Sequence, residues 1–183
     1  MEKTIKEIIR ILEHTGDVKA YALIGGLAVG GWITPRATRD IDILADLSVT
    51  TRAALEDVLK KLLTSGFKGS IEIGGPEDDI KFCIKVVSSD KVPVDIIFTS
   101  RKWEAEIVEN GAVVEVLKGL SIPLVRPEGL IVLKLKAGSF QDIADASKLL
   151  IEAEYDLQKL RQLAKRARVD KRLERLMEKL GLG

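Results

Sequence analysis

The chain has 183 residues, enough for one domain or for a core with a small helical addition. Hydrophobic residues make up 46% of it and charged residues 31%, with a net charge of +1. That near balance excludes a whole-molecule attraction to nucleic acid or to a membrane surface. Because the sequence has neither a long apolar run nor a signal-peptide pattern, we expect a cytoplasmic protein without a membrane partner.

Two residue counts narrow the chemistry. The chain has one cysteine, Cys83, within an apolar run, and one histidine, His14, on the first predicted helix. A single cysteine cannot form an internal disulfide, and in such a run it is expected to be a small core residue. A single histidine argues against a His-rich zinc site and against a Ser-His-Asp triad. Carboxylates are therefore the main candidate metal ligands.

The hydrophobic periodicity predicts an α/β chain with a mixed sheet and flanking helices. We expect strands at 21–24, 40–46, 67–73, 80–87, 92–98, 112–117 and 121–125, the last two joined by a hairpin turn at Lys118 and Gly119. Helices are expected at 2–14, 27–33, 50–65 and 103–110, from 127, from about 141, and in the tail 155–183. We divide the chain into a core, 1–125, with helices on one face of the sheet, and a helical C-terminal part, 126–183, packed on that core.

The first distinctive feature is a double glycine directly after the first strand. Gly25 and Gly26 separate the strand 21–24 from the helix 27–33. Glycines allow positive φ and a close approach of the backbone to a ligand. The free N–H groups and the dipole of a helix N-terminus favour a phosphate. This turn is therefore predicted to cradle phosphate groups.

The second feature is a pair of carboxylates at the start of the next strand. Asp40 and Asp42 are alternate residues, so in a strand their side chains share one face. Two carboxylates so close repel each other unless a cation lies between them. Mg²⁺ suits this position, because it prefers oxygen ligands and is commonly held by one or two carboxylates together with substrate phosphates. Mn²⁺ is the alternative ion.

The run GGLAVGGWITPRATRDIDI resembles the nucleotidyltransferase superfamily, which has a DNA polymerase beta-like fold and a Gly-Gly or Gly-Ser turn followed by Asp-x-Asp. It is similar in particular to the branch that contains the AbiEii-type toxins of abortive-infection toxin–antitoxin systems. The positions that match this branch are Gly25, Gly26, Ala28, Arg36, Thr38, Asp40, Ile41 and Asp42. The alternative without function is a glycine packing motif followed by a solvated strand end.

The resemblance implies a third carboxylate on a neighbouring strand, and Asp95, in the apolar run 92–98, is the candidate for it. The alternative is that Asp95 pairs with a lysine or arginine of the fold. The resemblance also implies that Gly25, Gly26, Arg36, Thr38 and Lys134 contribute to nucleotide binding. For Arg36 two roles are open, neutralising phosphate or tying its loop to the strand.

A later segment, beginning at Arg126, resembles the same branch, which typically reads Arg-Pro-Glu-Asp-Leu, Lys-Leu-x-Ala and then Arg-Asp-x-x-Asp. Two positions depart from that pattern: Gly129 replaces an acid and Gln141 replaces an arginine. Loss of the arginine removes a charge that would assist phosphate or hold Asp142. Lys134 is the candidate phosphate-binding base, with Lys136 expected to be the more exposed lysine.

These features predict a Mg²⁺-dependent nucleotidyltransferase that uses a nucleoside triphosphate and carries Asp40, Asp42 and Asp95 as catalytic metal ligands. The acceptor is open: the toxin branch suggests RNA such as tRNA, or a protein, and the wider superfamily allows a small molecule. A toxin would have an antitoxin partner. The alternative is a non-catalytic module, on the same fold, that binds nucleotide or a partner.

The tail 155–183 is rich in lysine and arginine. Such a cluster can follow a phosphate backbone, although no aromatic residue lies among its basic residues to stack on bases. The alternative is a solvated helix surface with ion pairs between positions four residues apart.

Overall fold

The computed structural model describes residues 1–117 and 119–182. Its strands are β1 (Val18–Ile24), β2 (Ile41–Leu47), β3 (Lys68–Ile73), β4 (Phe82–Val87), β5 (Pro93–Phe98), β6 (Ala112–Leu117) and β7 (Leu120–Leu124). Its helices are α1 (Glu2–Glu13), α2 (Gly25–Trp32), α3 (Arg52–Thr64), α4 (Lys102–Glu109), α5 (Pro127–Ala137), α6 (Phe140–Glu152), α7 (Leu157–Ala167) and α8 (Asp170–Lys179). Within the described ranges, none of these helices is long and apolar enough to cross a membrane.

The seven strands form one mixed sheet in the order β3-β4-β5-β2-β1-β7-β6. β2 pairs in parallel with β5, and β1 pairs in parallel with β7, whereas the remaining neighbours are antiparallel. β2 is therefore the central strand, with three strands on either side. The predicted mixed α/β fold is confirmed, and β6 and β7 form the expected antiparallel pair. Lys118 of the predicted turn lies outside the described residues.

Both faces of the central strand are covered. The successive residues Ile43 and Leu44 are each buried, although alternation sends their side chains to opposite faces. Ile43 lies in a buried cross-strand row with Ile96 and Ile84. α1 and α3 contact each other, and α1 also contacts β1, while α3 contacts β3 and β4. α4 contacts β1 and β2, and α5 covers the face of Leu44. The expectation of helices on one face only was wrong, because β2 is apolar on both faces.

Several boundaries differ from the prediction. β4 begins at Phe82 rather than at residue 80, because Lys81 Nζ donates to the carbonyl oxygens of Gly75 and Pro76 and belongs to the preceding loop. The tail is two helices rather than one. α7 ends where Arg168 adopts a left-handed conformation (φ 61°) and Val169 N–H donates to Ala164 O, a closure of the Schellman type.

Candidate active site

Pairing between the two central parallel strands places two of the predicted acids side by side. Asp42 of β2 is the register partner of Asp95 in β5, and Asp40 immediately precedes β2. The prediction that these two segments are neighbours is confirmed. On its other side Asp42 pairs with Ile24, the last residue of β1. The glycine turn that follows Ile24 therefore lies at the same edge of the sheet as the acids.

The two glycines lie against the acidic segment so closely that a side chain has no room. A Cβ atom on Gly25 would lie 1.9 Å from Asp42 Oδ2, and the φ of Gly25 is +65°. A Cβ atom on Gly26 would lie 2.9 Å from Thr38 Oγ1. α2 begins at Gly25 itself, not after the glycines as predicted. The N-terminus of α2 is thus in direct contact with Asp42.

The protein shifts the pKa values of the three acids in different directions. Thr38 Oγ1 donates to Asp40 Oδ1 at 2.5 Å, and this hydrogen bond, helped by backbone N–H groups and by Arg36, lowers the pKa of Asp40. Burial, together with the negative charges of Asp40 and Asp95, raises the pKa of Asp42 to about 6. Burial also raises the pKa of Asp95.

Nearby lysine and arginine side chains leave the negative charges of Asp40, Asp42 and Asp95 largely uncompensated. Lys85 lies across from Asp95 in the sheet, but its Nζ atom is 2.8 Å from Glu72 Oε2. In the described part of the chain, no lysine or arginine forms an ion pair with Asp40, Asp42 or Asp95. The alternative interpretation of Asp95, an ion pair within the fold, does not apply to the described residues.

These acids suit a hard divalent cation in ligand type and in charge. Among residues 1–117 and 119–182, however, no three histidine, cysteine, aspartate or glutamate side chains converge closely enough to form a ready metal site. What fits a cation is the chemistry of the oxygen ligands, together with the burial and the mutual repulsion that raise the pKa of Asp42. A cation would relieve that repulsion by drawing the carboxylates together.

A second pair of acids, on α6, is fully compensated. Asp145 is 1% exposed and accepts hydrogen bonds of 2.9 Å from Arg36 Nε, Arg36 Nη2 and Gln141 Nε2. Lys134 Nζ lies 3.1 Å from Asp145 Oδ2 and 2.8 Å from Asp142 Oδ1. Although burial favours the neutral acid, these donors lower the pKa of Asp145 to about 2.

The contacts of Asp142 and Asp145 show which partners Arg36 and Gln141 have. Arg36 ties its loop to α6 through Asp145. Gln141, which replaces the usual arginine, donates to Asp145, while Asp142 is held by Lys134 and Ser139. The charge that the missing arginine would supply to Asp142 comes instead from Lys134. Asp142 and Asp145 were not among the predicted site residues, although both matched the family pattern in the sequence.

Two further outcomes concern α5. Gly129 replaces the usual acid because a Cβ atom there would lie 2.5 Å from Val125 Cγ1 and 3.2 Å from Ile107 Cβ. Lys136 is the more exposed of the two lysines, as expected, since its side chain is 19% exposed and that of Lys134 is 13% exposed; its Nζ atom lies 2.6 Å from Asp79 Oδ1. The expectation for Cys83 is confirmed, since it is a buried core residue.

Asp42 opens into a cleft of about 380 Å³ between the sheet and α5. At one end of the lining are Gly25, Asp42, Lys134 and Asp142, and the rest of the lining is mostly apolar. Lys134 thus touches the compensated acids and faces the same space as Asp42. The cleft has the size of a small-molecule site and a charged end that suits a polyphosphate with its cation.

The family model described as nucleotidyl transferase AbiEii toxin, type IV toxin–antitoxin system, matches residues 9–180. No curated protein matches the chain significantly.

Solved structures share the fold at low sequence identity. ANT(2″)-Ia in complex with adenylyl-2″-tobramycin is similar with a TM-score of 0.58 and 15% identity, over 93% of this chain and 97% of that one. The putative nucleotidyltransferase TM1012 from Thermotoga maritima gives 0.56 and 16%, over 82% and 92%. A cytoplasmic RNA terminal U-transferase is similar with a TM-score of only 0.40, and the chain spans 37% of its length.

Proposed function

The chain belongs to the AbiEii family of nucleotidyltransferase toxins, and we propose that it transfers a nucleotide from a nucleoside triphosphate to an acceptor hydroxyl with the help of Mg²⁺ or Mn²⁺. The observation that carries this proposal is the contact between the glycine turn and the uncompensated acids, in which Asp42 lies against Gly25 and beside Asp95. A phosphate-binding helix N-terminus and a cation-binding acid group thus share one end of one cleft.

In this proposal the backbone N–H groups at Gly25 and Gly26 bind the β- and γ-phosphates. Lys134 adds a positive charge at the same end of the cleft, where Asp142 and Asp145 keep its ammonium fixed. Arg36 and Thr38 act indirectly. Arg36 holds the loop against α6, and Thr38 orients the carboxylate of Asp40.

Asp40, Asp42 and Asp95 are the proposed ligands of the divalent cation, which when bound supplies charge neutralisation for the phosphates. The oxygen of the acceptor hydroxyl attacks the α-phosphorus, the bond from that phosphorus to the bridging oxygen breaks, and pyrophosphate leaves. Asp95 is also the proposed base that takes the proton of the hydroxyl, and the pKa that burial raises supports this role.

The acceptor is the least determined part of the proposal. Membership of a toxin family supports a cellular target such as RNA, tRNA or a protein, and an antitoxin as partner. The fold alone also allows a small hydroxylated acceptor, as the adenylylated tobramycin bound to ANT(2″)-Ia illustrates for that protein. These acceptors are the separate arms of the test.

The test is incubation of the protein with each α-labelled nucleoside triphosphate, Mg²⁺, and either total RNA, lysate protein or an aminoglycoside. We expect label in one acceptor class with the wild-type protein and a loss of that label with Asp42→Ala. If the wild-type protein binds nucleotide but labels no acceptor, a non-catalytic binding module becomes the better account. Equal labelling by Asp42→Ala would show that the site is assigned wrongly.

A further inference from the structure

The inner part of the cleft is an apolar slot beside the charged end. Leu44 and Ile97 come from adjacent strands and form its floor. Leu130 and Leu133 of α5 form its roof. Ile80, from the loop between β3 and β4, forms its side wall. The slot therefore continues directly from the end at which we place the phosphates.

The side wall belongs to a structured loop, residues 74–81, which folds on its own contacts. Gly74 N–H donates to Lys81 O at 2.9 Å and closes the base of the loop. Gly75 N–H donates to Asp78 Oδ2 at 2.7 Å, and Lys81 Nζ donates to Gly75 O at 2.9 Å. Because these bonds fix its shape, the loop presents Ile80 in a defined position.

A three-residue clamp, formed by Asp79, Lys136 and Arg101, joins this loop to the helices. Asp79 Oδ1 lies 2.6 Å from Lys136 Nζ of α5 and 3.3 Å from Arg101 Nη2. Arg101 Nη1 also donates to Asp79 O at 3.0 Å. Within the described ranges, every ion pair between the loop and the helices runs through Asp79. The clamp thus sets how far Ile80 reaches into the slot.

We infer that the apolar slot receives the nucleobase of the nucleoside triphosphate, and that Ile80, positioned by the clamp, determines which bases fit. This inference rests on the proposed function, since it places the phosphates at the Asp42 end. A nucleobase has flat apolar faces that pack between aliphatic side chains. The cleft volume of about 380 Å³ lies within the range of small-molecule sites.

The walls also indicate how bases are selected. Leu44, Ile97 and Leu133 have no hydrogen-bonding groups on their side chains, so these walls sense the size of the ring. Asp79, Glu104 and Lys136 also line the cleft and are the side chains there that can hydrogen-bond the edge of a base. Shape discrimination of this kind is modest, because a difference of one methylene group in an apolar pocket changes selectivity by roughly 10- to 200-fold. Ile80 is the wall residue most easily changed, since it is 48% exposed and lies outside the core.

The experiment compares binding of purine triphosphates, pyrimidine triphosphates and inorganic tripolyphosphate by calorimetry, with Mg²⁺ and no acceptor. Ile80→Ala should weaken binding of every nucleoside triphosphate by about tenfold, because it removes part of a half-exposed apolar contact, and should leave tripolyphosphate binding unchanged. Ile80→Trp should narrow the slot and weaken purine nucleotides more than pyrimidine nucleotides.

Ile73→Ala is the matched control, because Ile73 ends the strand before the same loop, is 54% exposed and does not line the cleft. If both Ile80 variants bind all nucleotides as tightly as Ile73→Ala does, the slot is not the base site. The same follows if they lose affinity for tripolyphosphate as much as for the nucleotides. If wild-type protein binds neither nucleotide nor tripolyphosphate, the proposed function fails instead.

The clamp is tested separately with Asp79→Asn and Lys136→Met. Each should weaken nucleoside triphosphates without affecting tripolyphosphate. The double variant should lose no more than the stronger single variant, because both changes release the same wall. Additive losses, or a loss of tripolyphosphate binding with Lys136→Met, would show that Lys136 acts on phosphate and not through Asp79.

Discussion

Two groups of aspartates lie around one cleft and are held in opposite ways. In the first group, Asp40, Asp42 and Asp95, Asp42 lies against Gly25 and beside Asp95, and its pKa is raised to about 6. Asp142 and Asp145 lie on α6, where hydrogen bonds from Arg36, Gln141 and Lys134 bring the pKa of Asp145 down to about 2 despite its burial. The anion of Asp145 is thus stabilised, whereas the anions of Asp42 and Asp95 are destabilised; Asp40 is the exception in its group, because Thr38 stabilises its charge.

From this difference we infer a structural role for Asp145 and propose a functional one for Asp42. Asp145 completes bonds between α6, α5 and the loop that leads to Asp40, so its negative charge holds the fold together. The charge of Asp42 opposes the fold, since burial and two neighbouring acids disfavour it. Groups that a protein keeps at such a cost are candidates for binding a partner of opposite charge.

The largest effect on stability should come from the compensated group. Asp145→Ala leaves Arg36 and Lys134 without their shared acceptor, and breaking a buried ion pair from one side costs about 3 kcal/mol of unfolding free energy or more. Urea denaturation measures this loss of unfolding free energy. The control is Glu174→Ala, which breaks the exposed Arg161–Glu174 pair and should cost less than about 1 kcal/mol. If Asp145→Ala and Glu174→Ala lose similar unfolding free energy, Asp145 does not have the structural role assigned to it.

The uncompensated group should matter most for turnover. Asp42→Ala should slow nucleotide transfer by about 100- to 1,000-fold, the scale seen when one electrostatic stabiliser is removed. Binding of the nucleotide should change less than the rate, because transfer depends mainly on positioning and on neutralising the phosphates. Label transfer measures the rate, and Asp57→Ala on the distant helix α3 is the control. If Asp42→Ala slows transfer by less than tenfold, Asp42 is not part of the catalytic site.

The two groups should also give the protein a defined pH dependence in a chelating buffer. The raised pKa of Asp42 lowers stability above pH 6, and this penalty disappears as the pH falls toward 4. The lowered pKa of Asp145 adds stability that is lost as the pH falls from about 4 toward 2. Asp42→Asn should therefore be about 2–3 kcal/mol more stable than wild type at pH 7.5, and the difference should shrink to about 1 kcal/mol or less near pH 4.5. Urea denaturation of both proteins at the two pH values measures the difference. If Asp42→Asn is less stable than wild type at pH 7.5, the charge of Asp42 does not destabilise the fold.

The smallest effect concerns the basic helix α8, where Lys171, Arg175 and Lys179 recur every four residues and are exposed. Arg175→Ala should leave nucleotide binding unchanged. If the acceptor is RNA, transfer should fall a few-fold at low salt, with a weaker salt dependence. Arg161→Ala, whose guanidinium already pairs with Glu174, is the control. An effect on nucleotide binding would mean that α8 belongs to the cleft.

The sequence predicted the acids more fully than their environment. Alternation within one strand and the glycine turn are local patterns, so Asp40, Asp42, Gly25 and Gly26 were found directly, and the family resemblance supplied Asp95. The partner of Arg36 lies 109 positions away along the chain, and no periodicity connects the two residues. The clamp at Asp79 was missed for the same reason.

The helical tail shows a different limit. Its apolar spacing continues across residue 168, so the tail 155–183 was predicted to be helical without a break being placed in it. The break rests on Arg168 in a left-handed conformation, which glycine usually provides, and on the burial of Val169 beyond it. Tertiary packing decided this boundary. The division of the chain at residue 125 stays a prediction.

The central claim is that the protein leaves the charge of Asp42 uncompensated and that a divalent cation supplies what is missing. The direct measurement is a carboxyl-carbon NMR titration of Asp42, without metal and with saturating Mg²⁺. The account predicts a pKa of about 6 without metal and a fall below about 5 with Mg²⁺, because the cation stabilises the anion. A pKa near 4 that Mg²⁺ does not change would contradict it.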